Sequence, residues 1–151
     1  MRLCGDRGQV GGIEVLPFGV LIFVVGALLV TNAWGVVDAE IAADAAAREA
    51  VRAYVEAPTA ASGEAAAREA ARATMAAHGR RPALVDESIR RAGDAPFGRC
   101  VPVTVTVRYP VPAVVLPWIG GYGHAFDVRS SHTERVDPFR SGVPGSVTCD
   151  G

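Results

Sequence analysis

The chain has 151 residues, half of them hydrophobic, and a formal net charge of −1. That balance, with no basic block, argues against a nucleic-acid partner. The three histidines are far apart, and no GxxxxGK[ST], GxSxG, HExxH or zinc-type cysteine pair occurs, so no catalytic residue, cofactor or metal is expected.

Met1 to Gly12 is short, polar and glycine-rich, with Arg2 and Arg7 around Asp6. It reads as a cytoplasmic leader, residues 1–12. An apolar run follows. Its one ionisable residue, Glu14, stands at its start, and Val15 to Trp34 carries no charge for 20 residues. As a helix that run is roughly 30 Å long, the thickness of a bilayer core. Residues 13–37 are therefore expected to span a membrane. Arg2 and Arg7 precede the run, and Asp38, Glu40 and Asp44 follow it. The positive-inside rule then puts the leader in the cytoplasm and the rest outside. A cleaved secretory signal is the competing expectation, with Thr31-Asn-Ala33 and Val37-Asp-Ala39 as small-residue cleavage sites.

Gly12, Gly19, Gly26 and Ala33 recur every seven residues and share one helical face. Small residues there let a second helix approach closely, although glycine is also common in any membrane helix. A carboxylate at membrane depth is costly unless protonated or paired, which makes Glu14 a candidate functional residue. The plainer alternative is a solvated Glu14 at headgroup level beside Arg7.

Val36 to Ala57 has no glycine or proline and is rich in helix formers. One continuous helix is expected from Ile13 to Glu56, ended by Pro58, with Val37, Ile41, Val51 and Val55 near one face. Thr59 to Gly63 reads as a link and Gly63 to His78 as a second helix, stopped by Gly79. Residues 38–82 thus form an alanine-rich helical region outside the membrane, in which Ala45–Ala50 and Ala65–Ala70 both read AAAREA.

Residues 83–151 change character and read as a small β-rich head. Val101 to Tyr109 alternates, with apolar side chains at odd positions, and is the clearest strand. Pro102 marks an edge or a strand start. Ala83 to Arg91 is a weaker strand, Pro110 to Gly123 a Pro/Gly-rich excursion, and His124 to Val136 a last strand. The fold class is α+β: a long N-terminal transmembrane helix continuing as a stalk, a second alanine-rich helix, then a small antiparallel sheet packed on that second helix. Cys100 and Cys149 would form a disulfide in an oxidising compartment, or remain free thiols otherwise. Asp86, Glu87, Asp127, His132 and Glu134 are the polar residues from which an enzyme site would have to be built, and no spacing links them.

Arg7-Gly8, Ile13-Glu14, Leu16-Pro17, the Ala45–Ala50 stretch, Tyr109-Pro110 and the run Ser130 to Pro138 stand in an order that resembles the TadE-like family of tight-adherence (Tad) pilus proteins. The resemblance covers most of the chain and rests on order and spacing. It implies a type IV pilin-like N-terminus, cut by a prepilin peptidase between Gly8 and Gln9. Glu14 would then pair with the new amine, on its own chain or the next subunit, and set axial register during assembly. Glu14 is the sixth residue after Gly8, whereas the family's glutamate is usually the fifth. The implied function is non-enzymatic: a membrane-anchored minor pilin or pseudopilin whose partners are membrane lipid and other pilus subunits. The alternative is a single-pass envelope protein with an interaction module unrelated to pili.

Overall fold

The structure, a computed structural model, describes residues 15–116 and 118–149. Two helices, α1 (Val15–Val55) and α2 (Ala60–Ala77), precede three strands, β1 (Asp86–Arg91), β2 (Pro102–Leu116) and β3 (Gly120–Arg135). The class is α+β, as expected.

The 41-residue α1 has two unlike halves. None of the residues in its apolar stretch is buried by the rest of the chain. From Ala39 onward it forms the core of the head. The buried positions there are Ala39, Ala42, Ala43, Ala46, Ala47 and Ala50, followed by Val51, Tyr54 and Val55. Their three- and four-residue spacing makes one stripe. Val37 and Ile41, expected on the same face as Val51 and Val55, are instead exposed. The error has a physical cause. Alanine buries little area on its own, so it carries weak pattern signal, yet its small side chain lets two helices approach closely.

The facing helix begins earlier than Gly63. Thr59 is its N-cap, and the Thr59 and Ser62 side chains each accept from the other's backbone N–H, a capping box with serine in the glutamate position. The expected link is thus mostly the first turn of α2. At the other end, Arg80 N–H donates to Met75 O and Gly79 N–H to Ala76 O, both at 2.9 Å. Gly79 has φ +70, so this is a Schellman ending. Gly63 lies where the helices are tightest: a Cβ there would stand 3.0 Å from Tyr54 O and 3.1 Å from its ring. Gly63→Val is expected to lower head stability by about 1–3 kcal/mol, read as an earlier thermal transition of the detergent-solubilised chain.

α1 ends at Val55 because the residue before Pro58 disfavours helical backbone. The carbonyls of Val55 and Glu56 accept from the Arg140 guanidinium, so the segment after β3 closes this helix end.

The sheet is antiparallel in the order β1-β2-β3. Val103, Val105, Val107, Tyr109 and Val111 are buried, so the odd-position alternation of β2 is real. On the opposite face Thr104 and Thr133 hydroxyls meet at 2.7 Å, and those of Thr106 and Ser131 at 2.8 Å. Two expectations about the sheet need correction. It packs mainly on α1, through β2 and β3, and α2 touches only β1 closely. The excursion Pro110 to Gly123 is itself hairpin: β2 runs on to Leu116 and β3 starts at Gly120. β2 is the central strand and still holds three prolines. Pro102 is its first residue. Pro110 and Pro112 lie past Arg108, where pairing with β1 ends, so they interrupt no ladder on that side. A register shift at Val111/Pro112 bends the distal hairpin.

Candidate functional site: an uncovered helix and the end of the head nearest it

Most of the expected site residues concern α1. Gly8, Gln9, Gly12 and Glu14 lie outside the described residues. Gly19 and Gly26 are in α1, exposed, and a Cβ added at either meets nothing within 4 Å. Ala33 is likewise exposed. Three members of the small-residue stripe therefore lie on a helix surface that the described residues leave exposed. Large side chains such as Phe18, Phe23 and Trp34 surround them, all exposed.

The two polar side chains late in the apolar run are both satisfied. Thr31 Oγ1 donates to Ala27 O at 2.8 Å. Asn32 Nδ2 donates to Leu28 O at 2.8 Å, and its Oδ1 accepts from the backbone N–H of Val115 at 2.6 Å. The second contact joins the distal hairpin to the apolar half of α1. Sequence reasoning missed it. Its only signal was an asparagine in a stretch that otherwise excludes such groups. One turn further, Arg80 donates to Gly35 O and pairs with Asp38. This closes the apolar stretch with a charged pair.

A second polar cluster pins β3 to α1. His132 Nε2 donates to Asp44 Oδ1 at 2.6 Å, and Ser130 Oγ donates to the same oxygen at 3.1 Å. Arg48 pairs with Asp44 Oδ2 at 2.8 Å. Arg48 Nε also lies 3.2 Å from His132 Nε2, but that nitrogen has one bonding position and the shorter contact to the carboxylate takes it. Serine, histidine and aspartate thus meet, yet not as a triad. A nucleophilic serine must bond the imidazole that takes its proton, and here both hydroxyl and imidazole converge on the carboxylate.

The His132 hydrogen bond is the first cause that holds Asp44 below its ordinary value, followed among the lowering effects by Ser130 and the Arg48 charge. A depressed carboxylate stabilises the fold above the ordinary carboxylate range, and that stabilisation is lost as pH falls through the folded value. Acid unfolding of the head is therefore expected to steepen below about pH 4, and Asp44→Asn to flatten that limb in a pH series of thermal melts.

Of the other polar residues considered for an enzyme site, Glu87 is placed on the helix side of β1. Its side chain is 6 % exposed, with Oε1 3.4 Å from Arg68 and 3.3 Å from Arg72 of α2. It ties sheet to helix. Asp86, Asp127 and Glu134 are not gathered with it. Among the described residues, no group of three or more His, Cys, Asp or Glu side chains could hold a metal ion.

Cys100 and Cys149 are joined in a disulfide, Cα atoms 5.2 Å apart, an ordinary spacing for such a bridge. It fastens the segment after β3 beneath the start of β2. No protein-family model matches the chain, and comparisons with curated proteins and with solved structures gave no match.

Proposed function

We propose that the protein is a non-enzymatic, membrane-anchored subunit of the minor pilin or pseudopilin kind, in a Tad-type pilus or secretion assembly. One observation carries the reading. A single helix is divided into an apolar half of which the described residues bury nothing and an alanine-striped half that is the core of a small α+β head. The bare half suits lipid before assembly and the helices of neighbouring subunits afterwards. The stripe at Gly19, Gly26 and Ala33 would admit a neighbour's helix at short range. The Cys100–Cys149 bridge supports an oxidising compartment for the head. With the arginines of the leader inside, this gives a single-pass protein of a bacterial cytoplasmic membrane with its head outside.

In this reading Glu14 sets register against a neighbouring subunit, and prepilin peptidase removes residues 1–8. Glu14→Ala is expected to leave the chain in the membrane fraction and to remove it from the sheared, assembled fraction, a loss of at least about tenfold. An assembled fraction equal to that of the unaltered chain would refute the role of Glu14. Intact-mass analysis of the membrane-extracted protein tests the leader separately, through loss of the first eight residues or their retention.

A further inference from the structure

We propose that the distal half of the β2–β3 hairpin, Val115 to Tyr122, is a lipid-facing wedge that rests in the headgroup–acyl boundary beside α1. The inference rests on the reading of α1 as a membrane-spanning helix. Four observations bring the hairpin to that depth and give it matching chemistry.

The first is position. Ser130 and His132 fix the sheet at Asp44, and Val115 fixes it at Asn32. The sheet therefore follows α1 over twelve residues, about 18 Å along the axis, and ends against the last turns of the apolar run. The turn between Leu116 and Gly120 lies beyond that contact. The second is composition. From Pro110 to Phe126 there is no Asp, Glu, Lys or Arg. The third is exposure. Trp118 is fully exposed, and Val115, Ile119, Tyr122 and Phe126 are all about half exposed or more. Water is a poor environment for such a group on the tip of a hairpin, whereas tryptophan and tyrosine favour the membrane interface. The fourth is the rim. Arg80 and Arg81 lie beside the base of this hairpin, sharing a shallow hollow with Tyr109, Pro110 and Pro112. Arg81 is exposed. Arg80 is taken by Gly35 O and Asp38, so Arg81 is the cation that faces lipid phosphates while the wedge meets the acyl boundary.

The backbone limits the depth. An open hairpin end has unpaired N–H and C=O groups, which the hydrocarbon core does not tolerate. Asn32 satisfies the Val115 N–H at the deepest contact described. The wedge therefore lies at the interface and not in the bilayer centre. It would hold the head against the membrane at a fixed tilt, so that α1 does not act as a free stalk.

The chain has two tryptophans, Trp34 and Trp118, both on exposed side chains, so each can be studied alone. The full chain carrying Trp34→Phe leaves Trp118 as the reporter, and Trp118→Phe leaves Trp34. Both are reconstituted in phosphatidylcholine vesicles, with and without chains brominated near the glycerol. The expected result is blue-shifted Trp118 emission, quenched by the shallow bromines and several-fold less accessible to acrylamide than free indole. Water-like emission from Trp118, fully open to acrylamide, overturns the proposal. In that case quenching of Trp34 by the brominated lipid leaves the spanning helix standing, and its absence removes the helix reading as well. Trp118 shielded from acrylamide yet untouched by bromines also overturns it, since a protein surface would then be the occupant.

Discussion

Tyr54→Ala is expected to lower the stability of the head by about 3–5 kcal/mol, the range for deleting a large buried aromatic side chain. Tyr54 is the largest fully buried side chain among the described residues. Its ring meets Phe97 edge-on, centroids 5.8 Å apart, and its backbone and ring are what Gly63 of α2 approaches. Its hydroxyl accepts from Arg91 of β1 at 2.9 Å. One side chain thus joins α1, α2, β1 and the loop before β2. Truncation leaves a cavity between helices that meet through alanines, which have no longer side chains to fill it, and frees a part-buried guanidinium donor. Tyr54→Phe keeps the ring and is expected to cost less, about 1.5–3 kcal/mol, the loss of one hydrogen bond to a charged group. The measurement is thermal unfolding of the detergent-solubilised chain by circular dichroism. A shift of roughly 12–20 °C for the alanine variant is expected at about 4 °C per kcal/mol. Equal effects of the two variants would show that packing at the ring is not what matters.

Cys149→Ser is expected to have the next largest effect, near 4 kcal/mol from the chain-entropy relation for a separation of 49 residues. The loop it closes contains β2 and β3, so the unbridged denatured chain gains the freedom of most of the head. The folded state should also loosen locally. The segment after β3 contributes buried Val143, the Arg140 cap on the end of α1, and Pro144 O, which accepts from Arg99 N–H at 2.7 Å. Amide exchange at Arg99 should rise with Cys149→Ser while exchange in the middle of β2 follows global unfolding. Cys100→Ser and chemical reduction should give the same loss, because all three remove one bond. A variant that melts with the unaltered chain would mean that the segment is held without its bridge.

Some elements of this protein announce themselves in the chain because their signal is local. Val103 to Tyr109 alternates with period two, and a charge-free run of helix formers is a helix wherever it lies. Glycine and proline punctuate both helices at Pro58 and Gly79. The features that were not legible depend on groups distant in sequence. The capping box at Thr59 used a serine where the usual pattern has glutamate or glutamine, so α2 looked shorter than it is. Pro110, Pro112 and three glycines, Gly120, Gly121 and Gly123, suggest a loop. They form hairpin because β2 pairs with β1 only as far as Arg108, and a strand without a neighbour on one side can hold proline. Ser130 and His132 stand more than 80 residues from Asp44 and share no motif with it; only the packing of β3 on α1 brings them together.

The sequence by itself determined the two-part plan, an apolar helix running into an alanine-rich one and then a cysteine-bracketed β region, because length, charge and periodicity are properties of short stretches. The tertiary structure decided which face of α1 is core. Alanine and valine differ in hydrophobicity in the wrong direction for a pattern to choose alanine, but close helix contact at Gly63 and Tyr54 rewards the smaller side chain. It also decided that the sheet lies along α1 down to Asn32, since that depends on a bend at Val111/Pro112 and on one asparagine side chain, neither of which has a meaning until the elements are packed.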